Sequence, residues 1–395
     1  MKALSSLLLF SALLGQAQAQ PFAYITNKDL ITSQAIVSVI DTATNQVTAT
    51  VPLGNGTDVW GMAVSADGAR AYAVNKGDHT VSVIDGATQT VLATVGIATT
   101  DGPYGLAVSP DGARVYVADG LSNTVSVIDT TTNQVVTTVP VGGGPVAVVA
   151  SPNGSKIYVA NLIDSTVSVI DATTLAVIGT VSVGTYPVGI DISPNGVRVY
   201  ATNFSGNSVS VIDTASLNVS ATVPVGINPV GVVVSPDNSK VYVANSGGGG
   251  LSVIDAATLT LTGSTLLDAH LFGVSVTPDG SKIYAVNSSY LPDPGNASKR
   301  AVSVVDAATL AVDTHIAVGQ APSSLGRFIQ SSPVQTRITG RLEPVKAGKV
   351  LCQNLTTRQN ISFNLVGATW DCKNAGLVVH KGDQVSVTVK GTAQQ

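Results

Sequence analysis

An all-β fold is what this sequence predicts: a seven-bladed β-propeller closed by a C-terminal strand, followed by a small β-sandwich. Three observations carry the prediction. A unit of about 40 residues recurs seven times along the chain. Each unit divides into four short β-branched runs separated by turn residues. Charged residues make up only 11% of the 395, and a single glutamate, Glu343, stands where a helical chain of this size uses many. Hydrophobic residues reach 44%, which excludes disorder for most of the chain. The net charge of −4 argues against a dedicated nucleic-acid binder.

The N-terminus reads as a targeting segment, residues 1–19. Lys2 supplies a positive start, Leu7 to Leu14 is apolar but too short to span a bilayer, and Ala17-Gln18-Ala19 is a cleavage-site pattern. Cleavage is expected after Ala19, leaving a mature chain that begins at Gln20. No cysteine near the cut offers a lipid anchor, and no later stretch has 18 consecutive apolar residues, so no transmembrane segment is expected. The expected location is extracytoplasmic: periplasm, cell surface or secreted.

Residues 20–330 hold the repeat. Ser-Val-Ile-Asp ends at Asp41, Asp85, Asp129, Asp171, Asp213 and Asp255, and Ser-Val-Val-Asp at Asp306. Ahead of each stands Tyr-x-x-Asn or Tyr-x-x-Asp, beginning at Tyr24, Tyr72, Tyr116, Tyr158, Tyr200, Tyr242 and Tyr284. A turn such as Ser151-Pro-Asn-Gly154 precedes six of these tyrosines; its proline presets φ, and Asn-Gly tolerates positive φ. In one unit the strands are predicted at Val146–Ala150, Ile157–Ala160, Thr166–Ile170 and Ala176–Val183. A lone four-stranded sheet leaves two apolar faces bare, and stacking the sheets about an axis covers them. The marks closely resemble the YVTN family of β-propeller repeats, found in exported and surface-layer proteins of bacteria and archaea. The resemblance covers about residues 22–330 and implies seven blades. It is specific for fold and weak for activity.

Closure follows from the ends of the repeat. The first unit opens at Phe22 without its innermost strand, and Gly319 to Ile329 reads as an orphan innermost strand. Pairing the two completes a blade and removes exposed edges. The remaining residues, 332–395, break the pattern and reverse the charge. Residues 20–331 hold 11 basic and 21 acidic residues, and residues 332–395 hold 8 and 3. Strand-like alternation at 337–342, 349–352, 361–366, 377–379 and 384–389 predicts a small all-β domain. Cys352 and Cys372 are the only cysteines. In an exported chain they read as a disulfide that staples a domain of marginal size. The basic tail is a candidate to dock on the acidic propeller or on an anionic cell envelope.

The chemistry-bearing residues are few. Of four histidines none forms a spaced metal pair, and no haem or nucleophile-elbow motif occurs, so no metal, cofactor or catalytic residue is assigned. One base follows each turn: Arg70, Arg114, Lys156, Arg198, Lys240 and Lys282. They are read as solvated edge charges beside the aspartates, with an anion-binding ring as the rival. Blade-specific departures are the better signal, since function on repeat scaffolds lies where the repeats differ. The loops entering the innermost strands, and the long loop after Asn287, gather Trp60, Tyr104, Tyr186, His270, Phe272 and Tyr290 with Asp58, Asp101, Asp268 and Asp293 on one face. Such a mixture suits a carbohydrate, peptide or protein ligand. Ordinary loop drift is the competing account. In the channel wall, Asp191 is the one acid of the innermost strands and Arg327 the one base of the orphan strand, so the two are candidates to pair.

The function expected is a non-catalytic, exported binding or scaffold propeller. Two alternatives stand beside it. Related seven-bladed folds include sugar-lactone hydrolases, which need a metal or a convergent acid, base and arginine set. The other, suggested by the resemblance to YVTN-type propellers, is periplasmic single-stranded DNA binding; it needs a basic groove with stacking aromatics, and the net −10 of residues 20–331 counts against it.

Overall fold

A computed structural model describes residues 21–29, 31–32, 34–54, 58–98, 102–267, 270–288 and 301–330, together with five strands between 339 and 391. The larger of two compact units is Gln20–Ser331, and it is an all-β seven-bladed propeller. Its first sheet holds β1 (Phe22–Lys28), β2 (Ala35–Asp41) and β3 (Gln46–Pro52). The second holds β4 (Val59–Val64), β5 (Arg70–Asn75), β6 (Thr80–Asp85) and β7 (Val91–Gly96). The third holds β8 (Pro103–Val108), β9 (Arg114–Asp119), β10 (Thr124–Asp129) and β11 (Gln134–Pro140). The fourth holds β12 (Pro145–Ala150), β13 (Lys156–Asn161), β14 (Thr166–Asp171) and β15 (Val177–Ser182). The fifth holds β16 (Pro187–Ile192), β17 (Arg198–Asn203), β18 (Ser208–Asp213) and β19 (Val219–Pro224). The sixth holds β20 (Ile227–Val234), β21 (Lys240–Gly247), β22 (Gly250–Asp255) and β23 (Thr260–Leu266). The seventh holds β24 (Leu271–Val276), β25 (Lys282–Asn287), β26 (Ala301–Asp306) and β27 (Val312–Ala317). Each sheet is an antiparallel meander, as in the ladder β12-β13-β14-β15.

The repeated motif residues explain why every unit folds alike. The seven motif tyrosines are at most 2% exposed and fill the space between neighbouring sheets. The motif asparagine ties the two middle strands together: Asn161 Nδ2 donates to Ser168 Oγ at 2.8 Å, and Asn75, Asn203, Asn245 and Asn287 do the same to Ser82, Ser210, Ser252 and Ser303. The Val-Ile-Asp aspartate closes the turn that follows. Asp171 Oδ1 accepts the backbone N–H groups of Thr173 at 3.0 Å and Thr174 at 2.7 Å, which holds its carboxyl below the usual range.

The six bases after the turns are not simply solvated, as the sequence suggests. Arg114 Nη1 reaches Ala172 O of the next sheet at 2.8 Å, and Lys156 Nζ reaches Thr214 O at 2.9 Å. Arg70, Arg198 and Lys240 make the same step to Thr130, Ala256 and Ala307. The carbonyl after each aspartate is left free by its turn, and a long basic side chain is what can cross to it. Lys282 departs from this pattern. It pairs within its own sheet with Asp306 at 2.9 Å and Asp313 at 2.6 Å, while the Tyr284 hydroxyl donates to Thr42 O of the first sheet at 3.3 Å.

Residues 320–330 run beside β1 as isolated bridges, where the sequence suggests a continuous strand. Ala23 pairs with Ile329 and Lys28 with Gln320, and Tyr24 N donates to Phe328 O at 2.9 Å. Three features break the run between them: Pro322 has no N–H to give, Ala321 has φ +45°, and Gly326 has φ +109°. Phe328 is fully buried within the cluster that joins the first and seventh sheets. Beyond the propeller, β28 (Thr339–Arg341) pairs β31 (Thr369–Asp371), and β29 (Ala347–Asn354) stands between β30 (Asn360–Val366) and β32 (Val385–Gly391). The run expected at 377–379, and Cys372 with it, lies outside the described residues.

Candidate functional site: an aromatic cavity at one end of the ring

The innermost strands begin at the end of the ring that carries the loops after the motif asparagines. Trp60 of β4, Tyr104 of β8 and Phe272 of β24 occupy one slot, each just before a glycine. The other sheets put Val146, Val188 and Val230 there. The glycines let the strands crowd: a Cβ on Gly105 would lie 2.6 Å from Val146 O. The three rings therefore meet edge to face, Trp60 at 5.3 Å from Tyr104 and 5.3 Å from Phe272. Lys76 Nζ lies 4.9 Å from the Trp60 ring and 4.4 Å from the Tyr104 ring. Asp58 fixes this corner, accepting from Trp60 Nε1 at 3.0 Å and lying 3.8 Å from Lys76 Nζ.

A cavity of about 520 Å³ opens beside the three rings. Tyr186 and Phe204 line it, with Leu121 and Ile163 on its rim, both 60% exposed. Tyr186 is 47% exposed and sits at φ +56°, an unusual backbone for an aromatic residue. Leu325 of the 320–330 segment lines this cavity and also a second one of about 300 Å³. The second cavity is walled by Ala63, Ala107 and Val149 and holds Asp191 and Arg327. There Arg327 Nε donates to Asp191 Oδ1 at 2.9 Å.

Of the ten residues the sequence assigns to the loop face, Trp60, Tyr104, Tyr186 and Phe272 line one cavity, and Asp58 braces it. His270 is exposed and turned away, its Nδ1 at 2.6 Å from Ser246 O. Asp101, Asp268, Tyr290 and Asp293 lie outside the described residues. Sequence reasoning missed Leu121, Ile163 and Phe204. Each follows a motif Asn or Asp by one or two positions, a slot that holds a large apolar residue in only these sheets, so the signal was available. Leu325 carries no such signal, because its place depends on the break at Gly326.

Asp119 stands where the other sheets have asparagine. It is fully buried, and burial raises its pKa to about 6 against the hydrogen bonds from Ser126 and Thr124. Its backbone pairs with Pro103 of β8, and its carboxyl turns to Ser126 and Thr124 of β10.

Comparison with known proteins agrees with the fold. A family described as lactonase, 7-bladed β-propeller matches residues 59–216, less than half of the chain. Among solved structures, a functionally unknown protein from Desulfotomaculum acetoxidans is 18% identical, with a TM-score of 0.63 over 77% of this chain and 100% of that one. Hydrazine synthase from Kuenenia stuttgartiensis is 20% identical, with a TM-score of 0.59 over 77% of this chain and 95% of that one. At these identities the likeness is one of fold. No curated protein matches.

Proposed function

We propose that this chain is an exported propeller that binds a ligand through its aromatic cavity without catalysing a reaction. The observation that carries the reading is the cavity of about 520 Å³, whose wall is aromatic and aliphatic. It has the size and apolar character of a ligand site. The acid that braces the three rings, Asp58, is committed to Trp60 and Lys76. A carbohydrate face, an apolar peptide side chain or a protein surface fits such a wall, and exposed Leu121, Ile163 and Tyr186 extend the contact outward. In the same reading the chain is cleaved after Ala19, the ring is closed by residues 320–330, and 332–395 form a small β-sandwich stapled by Cys352–Cys372. Its net +5 then holds it to the acidic propeller or an anionic envelope. The bridges from β1 to Ile329 and Gln320 support the closure.

The test is a glycan and peptide array probed with the mature protein, its Trp60→Ala variant and its Tyr104→Ala variant. Array hits lost in both variants, with melting little changed, are the expected result. Hits that survive both substitutions overturn it. A second reading, a lactonase-like hydrolase, is favoured by the family match over 59–216. Turnover of a panel of sugar lactones by the purified chain would replace the first reading with this one.

A further inference from the structure

We infer that the opposite mouth of the ring is a second, independent binding site, which takes an uncharged carbonyl group on the guanidinium of Arg327. The break at Gly326 swings Arg327 off the first sheet and across the ring to β16 in the fifth. Its Nε and Nη2 both lie 2.9 Å from Asp191 Oδ1, and Nη2 also donates to Ile192 O at 2.8 Å. Asp191 Oδ2 accepts Val234 N at 2.9 Å, so both carboxylate oxygens are engaged. Nη1, with two N–H donors, has no partner among the described residues. The Arg327 side chain is 40% exposed while Asp191 is 2% exposed. The donor face therefore looks into the cavity of about 300 Å³.

A tie across the ring does not account for this arrangement. An ion pair with one member buried commonly adds little over an apolar pair of similar volume. The same slot in the other innermost strands is filled by Ala63, Ala107, Val149, Val233 and Ser275. What the pair supplies, and an apolar pair does not, is a guanidinium locked on two of its nitrogens with the third held out.

The charge balance selects the ligand. Asp191 already neutralises Arg327, so a carboxylate would enter as an unbalanced negative charge. The turns on its path carry Asp67, Asp111, Asp237 and Asp279, while Arg70, Arg114, Lys156, Arg198 and Lys240 beside them are turned to carbonyls of the next sheet. A cation would meet the guanidinium. An amide, ester or ketone oxygen needs only the N–H donors that are on offer. The walls of Ala63, Ala107 and Val149, with Pro110, Pro152 and Pro194 toward the turns, suit a compact apolar body behind that oxygen. The volume lies at the small end for ligand pockets.

The probes are benzamide and benzoate, measured by ligand-observed NMR on the mature protein. Benzamide is expected to bind and benzoate to bind more weakly. Arg327→Met should weaken benzamide by about tenfold or more, the loss of a hydrogen bond to a charged donor. Trp60→Ala, at the other end, should leave it unchanged. Asp191→Asn keeps an acceptor for Arg327 but removes the balancing charge, so it should reverse the preference toward benzoate. That variant decides the matter if Arg327→Met fails to fold. No benzamide binding to wild type, equal binding to Arg327→Met, loss with Trp60→Ala, or an unchanged preference in Asp191→Asn would each overturn the inference.

Discussion

The third, fourth and fifth sheets and the seam between the seventh and the first sheet solve one packing problem in two ways. In the regular sheets a base crosses to the next sheet's free carbonyl, as Arg114 does to Ala172 and Lys156 to Thr214. At the seam Lys282 turns back to Asp306 and Asp313, and the crossing is made instead by the Tyr284 hydroxyl to Thr42. The regular sheets have a full innermost strand, whereas the first has bridges to 320–330. Identical neighbours share one latch, and unlike neighbours need a local one. The irregular segment in turn brings Leu325 and Arg327 into the ring, which no repeat unit does.

The largest effect that separates the two regions is expected at Phe328. Phe328→Ala should cost about 3–5 kcal/mol, the range for a buried aromatic truncation, read by denaturant unfolding. A cost under about 1 kcal/mol would show that the segment is an accessory to the ring and not part of its core.

Asp119→Asn should stabilise the protein, and the gain should depend on pH. The folded-state pKa is raised to about 6 from 3.8, so the native state holds its proton more tightly than the unfolded chain. The favourable contribution of the neutral acid is therefore present at low pH and is lost as pH rises between about 4 and 6. Above that window the substitution should recover up to about 3 kcal/mol, at 1.36 kcal/mol per pKa unit. Melting curves at pH 4 and pH 7.5 check it; an equal effect at both would contradict the buried-carboxyl assignment.

Arg114→Met should cost about 1 kcal/mol, because its bond to Ala172 O is partly solvated. Lys282→Met should have the smallest effect of the series and shrink further in high salt, since both its partners are accessible. If Lys282 outweighs Arg114 in thermal melts, the seam is held by its ion pairs and the comparison is reversed.

The repeat was legible in the sequence because each motif residue meets a strictly local need. The tyrosine fills a gap, the asparagine bonds a serine on the adjacent strand, and the aspartate caps its own turn. The strand limits expected at Val146–Ala150, Ile157–Ala160, Thr166–Ile170 and Ala176–Val183 fall within one residue of β12 to β15 at every end. Trp60, Tyr104, Tyr186 and Phe272 were legible as departures from Val and small residues. The latch of Arg114 on Ala172 was not, because it depends on how far apart neighbouring sheets stand. Nor was the cavity partition at Leu325, since the backbone break at Gly326 is a tertiary event.

The most direct test of the binding account reads Trp60 itself. Trp60 and Trp370 are the only tryptophans, so Trp370→Phe leaves Trp60 as the sole reporter. The strongest array ligand, titrated into that variant, should change the Trp60 emission saturably and with the same affinity as the array measures. An emission that stays constant while the ligand binds would show that the aromatic cavity is not the site.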